Sequence, residues 1–137
     1  MASPHSVVVV DLNAPNRTKT VTLLEEAGYR VRSARNFDEA KTLLAAERPD
    51  ILITDLRLGQ YNGLHLVLRT RSDFPEMAAL VTSRVADPVL EAEALRQQAH
   101  FILVPLTAAQ MLQAVATSLV EGPRKPLPAS PISPELC

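Results

Sequence analysis

The chain has 137 residues, a formal net charge of -1, and 47% hydrophobic and 21% charged residues. This length and composition are typical of one globular domain, and the near-neutral charge gives no reason to expect general nucleic-acid or membrane binding. The start lacks the features of a signal peptide, and no apolar run is long enough to span a membrane, so we expect a cytoplasmic protein. Because the one cysteine is Cys137, no internal disulfide can form.

The chain begins with a strand, a helix and a second strand. Residues 7–10 form a β-branched run that predicts a strand buried on both faces, and Asp11 follows it directly. The next segment is a predicted helix that Asn13 caps and Gly28 ends. Residues 29–34 alternate between two faces, which is typical of a less buried edge strand.

A second helix and a third strand follow. Residues 36–39 have the form of a capping box, and Pro49 ends the helix because the residue before proline avoids the α region. Residues 51–53 predict a buried strand that leads through Thr54 to Asp55. A loop then closes on Asn62 and Gly63.

The second half repeats this alternation. Its predicted elements are a helix over residues 64–72, a strand over 78–82, a helix that begins at Asp87, a strand over 101–104, and a helix that begins with a capping box at 107–110 and ends at Gly122. Five strands alternating with five helices predict an α/β fold, a flavodoxin-like doubly wound parallel sheet of order 2-1-3-4-5. The domain should cover residues 6–121, after a lead of residues 1–5, and the proline-rich residues 122–137 should be a tail or linker.

In this order the first and third strands are neighbours, so three polar side chains should meet at one edge of the sheet. Asp11 and Asp55 would lie side by side, with Thr82 at the end of the fourth strand close by. Two like charges invite a cation such as Mg²⁺, and a metal-neutralised carboxylate beside a hydroxyl can accept a phosphoryl group. An aspartate after a parallel strand can also simply cap the next helix or bind loop amides, and both interpretations remain open.

Taken together, these stretches resemble the receiver domain of two-component response regulators. The resemblance covers about residues 6–121 and rests on residues 7–17, 28–31, 37–40, 49–58, 62–63, 80–83 and 101–105, in order and correctly spaced. It implies a signalling module rather than an enzyme, to which a histidine kinase or phosphotransfer protein donates a phosphoryl group. It also implies a protein partner, or a second copy of the chain, on the face formed by helix 4, strand 5 and helix 5, and no direct nucleic-acid contact.

The resemblance also implies a role for each site residue. Asp55 is the phosphoacceptor, and Asp11, Asp55 and the backbone carbonyl of Arg57 hold Mg²⁺. Thr82 is the switch hydroxyl and Phe101 the switch aromatic. The bond between Val104 and Pro105 is expected to be cis, and Asn62 and Gly63 form the turn after the acceptor loop.

Two departures from the family pattern affect this expectation. Leu12 stands where receivers usually carry a second acid that binds the metal, and Val104 stands where they carry a lysine beside the acceptor. Both changes predict a weaker Mg²⁺ site and slower phosphorylation. Arg57 or Arg84 could pair with Asp55 and replace the lost cation, or both could be solvated loop residues.

Two rival functions remain. The first is a pseudo-receiver that keeps the fold and binds proteins without phosphorylation, and the second is an unrelated flavodoxin-like binding domain or small enzyme. His5, His65 and His100 lack the spacing of a zinc site, and no glycine-rich phosphate loop is present, so the sequence does not support metalloenzyme or nucleotide chemistry.

Overall fold

The computed structural model describes residues 5–123, in which strands and helices alternate. The strands are β1 (Ser6–Val10), β2 (Arg30–Ala34), β3 (Ile51–Asp55), β4 (Arg57–Leu58), β5 (Tyr61–Asn62), β6 (Ala78–Ser83) and β7 (His100–Leu103). The helices are α1 (Ala14–Glu26), α2 (Phe37–Ala46), α3 (Gly63–Asp73), α4 (Pro88–Arg96) and α5 (Ala108–Glu121). Most of the predicted proline-rich segment, and residues 1–4 of the predicted lead, lie outside the described residues. No helix within residues 5–123 is long and apolar enough to cross a membrane.

The main sheet has five parallel strands in the order β2-β1-β3-β6-β7. If only these five strands are numbered in chain order, the order is 2-1-3-4-5. This confirms the predicted topology and the edge position of β2. The short strands β4 and β5 were not predicted, and they pair with each other as a separate antiparallel hairpin.

The sheet is covered on both faces, so the chain has two hydrophobic clusters. In β1, Val8 and Val10 belong to the cluster that also holds buried residues of α2, α3 and α4. Val7 and Val9 belong to the opposite cluster, which holds buried residues of α1 and α5. A strand that faces two helical layers has no solvent-exposed side, and this explains why its sequence is continuously apolar.

Most predicted helix starts are confirmed by capping side chains. Asn13 accepts a hydrogen bond from the N–H of Asn16, Asp87 accepts from the first turn of α4, and Thr107 forms a complete capping box with Gln110.

The start and end of α2 differ in detail from the prediction. Asn36 caps the helix through the N–H of Glu39, but the Glu39 carboxylate accepts from the N–H and guanidinium of Arg35, so the box is not reciprocal. The helix also ends earlier than expected, at Ala46 with Glu47 as its C-cap, three residues before Pro49.

Candidate functional site

The sheet brings the predicted site residues to one edge. β1 and β3 are neighbours with Val10 opposite Thr54, and β3 and β6 are neighbours with Asp55 opposite Thr82. Asp11 follows β1 immediately. Two carboxylates and one hydroxyl therefore lie at the carboxyl ends of three adjacent strands, where open α/β sheets hold their ligands.

Asp55 is half-buried, and its surroundings disfavour its negative charge. Burial raises the pKa of Asp55, and the negative charge of Asp11 raises it further. The N–H groups of Leu56 and Arg57 and the charge of Arg84 lower this pKa, but they do not cancel the rise. A cation bound beside Asp55 would relieve the repulsion between the two carboxylates.

Asp11 stabilises the turn before α1 and also lies at the site. Its carboxylate accepts a hydrogen bond of 2.8 Å from the N–H of Asn13, which is the residue that caps α1. Its backbone carbonyl accepts from the guanidinium of Arg17 at 2.7 Å. The carboxylate thus orders the turn into α1, so the helix-capping and ligand-binding interpretations of Asp11 are compatible.

Sequence reasoning missed Arg17 as a neighbour of the site. The position of Arg17 in the sequence could have indicated this contact, because a side chain in the first turn of a helix can reach back to the end of the preceding strand. Arg17 lies four residues after Asn13, and its own N–H donates to the Asn13 carbonyl at 2.9 Å.

The loop after Asp55 is closely packed against the acceptor. The β4–β5 hairpin turns at Gly59, whose φ is 72°, and it returns the chain to Gly63 at the start of α3. The Gly63 N–H donates to the Leu56 carbonyl at 2.8 Å. A Cβ at position 63 would lie 2.5 Å from the Asp55 carbonyl oxygen, so only glycine fits here without displacing the backbone of the acceptor.

The two arginines considered as substitutes for a lysine do not contact the acceptor directly. Arg57 and Arg84 are both exposed. Within residues 5–123, neither of them forms an ion pair with Asp55. The charge of Arg84 does lower the pKa of Asp55, but it is the weakest of the influences on that carboxyl.

Thr82 and Phe101 lie on the neighbouring strands β6 and β7. Thr82 is buried, and its backbone carbonyl accepts from the Leu56 N–H at 2.8 Å, which ties β6 to the acceptor loop. Phe101 is opposite Val81 in the register and is half-buried against the cluster on the α4 face of the sheet. The aromatic ring is therefore packed inward beneath α4.

The two departures from the family pattern, Leu12 and Val104, lie in the loops after β1 and β7. The side chain of Leu12 is 46% exposed, and that of Val104 is half-buried, next to the cis bond that joins it to Pro105. The cis bond confirms the expectation from the sequence. Neither side chain offers an oxygen or a charge to the site.

The donor set that remains can hold Mg²⁺. Two carboxylates are available, from Asp11 and Asp55, and the backbone of Arg57 adds a carbonyl in the same loop. Mg²⁺ commonly binds through one or two carboxylates and retains several water molecules, so this donor set is compatible with the ion. No cluster of three or more acidic, histidine or cysteine side chains occurs in the described part of the chain.

Comparison with known proteins agrees with this geometry. Residues 7–116 match the model of the response regulator receiver domain family. The chain is 34% identical over 118 residues to the response regulator protein PilR of Pseudomonas aeruginosa, an alignment that covers 85% of this chain and 26% of PilR. It is 37% identical over 86 residues to a response regulator receiver protein of Anaeromyxobacter sp. strain Fw109-5, covering 62% of this chain and 36% of that protein. The chain thus spans about a third or less of these relatives.

Solved structures show the same fold at lower identity. A CheY-like response regulator receiver domain protein from Methanospirillum hungatei JF-1 superposes with a TM-score of 0.82 at 22% identity, covering 87% of this chain and 96% of that one. The chemotaxis protein CheY4 of Vibrio cholerae gives a TM-score of 0.78 at 24% identity, covering 84% and 98%. With its strand order, the juxtaposed acids and the match over most of its length, the chain belongs to the response regulator receiver domain family.

Proposed function

We propose that this chain is a signalling receiver that accepts a phosphoryl group on Asp55 from a histidine kinase or phosphotransfer protein. The observation that carries the proposal is the position of Asp55, half-buried at the end of β3 and opposite Thr82, with Asp11 close enough to raise its pKa. We assign the receiver unit to residues 6–121 and the segment 122–137 to a tail or linker.

The proposed step is a displacement at phosphorus. A carboxylate oxygen of Asp55 attacks the phosphorus, the bond to the donor nitrogen breaks, and the donor imidazole keeps the electron pair and takes up a proton. The N–H groups of Leu56 and Arg57 stabilise the Asp55 carboxylate, as their effect on its pKa indicates. The close fit of Gly63 fixes the acceptor backbone, and positioning of this kind is a main contribution to phosphoryl transfer.

We propose that Asp11, Asp55 and the backbone carbonyl of Arg57 hold Mg²⁺ during this step. When bound, the metal supplies positive charge that offsets the negative charge of the acceptor and the phosphoryl group. Because Leu12 offers no oxygen, we expect weaker metal binding than a second acid at this position would give.

The proposed output is a shift of the α4–β7–α5 face. Thr82 lies one residue before the end of β6, and its hydroxyl can donate to a phosphoryl oxygen on Asp55, which would draw the chain leading to α4 toward the site. Exposed apolar side chains occur on or next to these elements: Val89 of α4 at 72%, Val85 in the loop before α4 at 54%, and Leu103 at the end of β7 at 47%. Exposed apolar side chains on one face suit a protein partner or a second copy of the chain, and we propose no direct nucleic-acid contact.

A pseudo-receiver is the second candidate function, and specific observations favour it. Leu12 and Val104 remove a carboxylate and a cation from the site, and within the described residues no arginine pairs with Asp55. In that case the α4–β7–α5 face would bind its partner without phosphorylation.

The two functions are separated by a mass measurement. The chain is incubated with acetyl phosphate and Mg²⁺, and its intact mass is compared with that of Asp55→Asn under the same conditions. An adduct of one phosphoryl group on the wild type, absent from the variant, supports the receiver. Absence of an adduct at saturating donor supports the pseudo-receiver.

A further inference from the structure

A cleft runs from the acceptor site between two helices on one face of the sheet. α1 packs over β1 and β2, α5 packs over β3 and β6, and the cleft lies between the two helices at the carboxyl ends of β1 and β3. The cleft has a volume of about 450 Å³. A cleft of this size is in the range that holds small organic ligands, and it lies where the topology of doubly wound sheets places them.

The cleft has an apolar part, which lies beside polar side chains of α1 that include Thr20, Thr22 and Glu26. Four half-buried side chains form its walls, and they are Leu23 from α1 and Val104, Leu106 and Met111 from the β7–α5 turn and α5. Val9 and Ile53, which are buried in the sheet, form the floor. The wall side chains leave part of their apolar surface in water, so a ligand with an apolar body would gain by covering it.

The strand-end part of the cleft is acidic. Asp11 and Asp55 both line it, and in residues 5–123 neither forms an ion pair with a basic side chain. Lys19 and Arg84 also line the cleft, but both are exposed at its rim. The cleft thus has two half-buried carboxylates at one end and an aliphatic wall, Val104, beside them.

We propose that this cleft binds a small amphipathic cation, an amine whose ammonium group lies against Asp11 and Asp55 and whose apolar body fills the space between α1 and α5. A hydrated metal ion would satisfy the carboxylates but leave the apolar walls in water. An apolar anion would cover the walls but face two carboxylates. The proposal does not depend on phosphorylation, and it applies equally to a receiver and to a pseudo-receiver.

The test compares three probes that share one apolar body and differ in charge. The full chain, without Mg²⁺, is titrated with phenylbutylamine, phenylbutanol and phenylbutyrate, and binding is followed by amide chemical shifts. We expect the amine to bind at least tenfold more tightly than the alcohol, and the alcohol more tightly than the carboxylate. The largest shifts should fall at Asp55, Val104 and Met111.

Two variants and a matched control locate the binding. Val104→Lys introduces an ammonium group from the wall beside Asp55, so amine binding should fall at least tenfold. Val120→Lys adds the same charge at a side chain that is 87% exposed and outside the cleft, and binding should be unchanged. Asp55→Asn should weaken binding of the amine but not of the alcohol. This variant provides an independent test if Val104→Lys does not fold.

Several results would overturn the proposal. They are equal affinity for the amine and the alcohol, tighter binding of phenylbutyrate, shifts confined to residues outside the cleft, and absence of saturable binding by the amine. A mass adduct at Asp55 would be unaffected by any of these, so failure of this inference is distinguishable from failure of the proposed function.

Discussion

The two sides of the acceptor site are built differently. On the acceptor side, β3 leads into the β4–β5 hairpin and α3, and Gly63 brings the start of α3 so close to the Asp55 carbonyl that a methyl group does not fit. On the opposite side, Asp11 is followed by an exposed leucine, and the turn after β7 contributes Val104 to a cleft with an apolar part. The first side is closely packed, and the second is open; within residues 5–123 no basic side chain forms an ion pair with the acceptor.

This difference separates the position of the acceptor from its activation. Backbone contacts on the β3 side fix where Asp55 lies, whatever residue stands at positions 12 and 104. The two positions at which a charged group is missing, 12 and 104, belong to the other side. A chain can therefore keep the geometry of a phosphoacceptor while its reactivity changes through two side chains.

Val104→Lys should have the largest effect, because it adds a cation to the open side. If the chain accepts a phosphoryl group, we expect adduct formation with acetyl phosphate to be about 100-fold faster, the usual contribution of one positioned charge donor. Intact-mass time courses measure this rate, with Val120→Lys as the control of equal charge. An unchanged rate would mean that charge at position 104 does not limit the reaction.

Gly63→Ala should be the most damaging change on the packed side. The added Cβ would lie 2.5 Å from the Asp55 carbonyl oxygen, so we expect the free energy of unfolding to fall by about 2 kcal/mol. Gly59→Ala is the matched control, since its φ of 72° is strained for alanine but nothing lies near the new Cβ, and it should cost about 1 kcal/mol. Denaturant unfolding of both variants checks the order, and an equal or smaller loss for Gly63→Ala contradicts the close fit.

Removal of the cap of α1, on the open side, and of the cap of α3, on the packed side, should lower the free energy of unfolding equally. Asn13 on the open side accepts one N–H bond of 2.9 Å from Asn16, and Asn62 on the packed side accepts one of 3.0 Å from His65. Alanine at either position should lower the free energy of unfolding by about 1 kcal/mol. Thermal or denaturant unfolding tests this, and clearly unequal losses would show that the sides differ in local helix stability as well as in charge.

The smallest effect is the pH dependence of the acceptor itself. The pKa of Asp55 is raised in the folded chain, so its ionised form destabilises the fold, and this cost appears as pH rises above the ordinary value of 3.8 and through the folded value. We expect Asp55→Asn to be more stable than the wild type at neutral pH and to lose this advantage as the pH falls through the raised folded pKa toward 3.8, below which the advantage is absent. Unfolding curves at several pH values measure the difference. A variant that is less stable at neutral pH would mean that the carboxylate is stabilised in place.

The sequence predicted the main sheet well because each strand and helix start has a strong local signal. Residues 7–10 are apolar on every position because helices cover both faces, and Asn13, Asp87 and Thr107 cap the helices that they were expected to cap. The juxtaposition of Asp11, Asp55 and Thr82 followed from strand order alone.

Features that depend on distances between elements were missed. The β4–β5 hairpin has two residues in each strand, too few for a periodic pattern, and it depends on the turn at Gly59. The hydrogen bond from Arg17 to the Asp11 carbonyl is a local contact with a signal in the sequence, whereas the gap between α1 and α5 arises only when the helices are placed on the sheet. The Glu39 carboxylate accepts hydrogen bonds from the guanidinium of Arg35, a charged donor that competes with the backbone N–H of Asn36. A capping pattern in the sequence does not reveal this competition.

Locating the adduct tests whether Asp55 is the phosphoacceptor. After treatment with acetyl phosphate and Mg²⁺, borohydride reduction converts an aspartyl phosphate to homoserine, and tandem mass spectrometry of peptides identifies the changed residue. We expect homoserine at position 55 and at no other aspartate. Homoserine at Asp11 or another position, or an unmodified Asp55 after exposure to saturating donor, would contradict it.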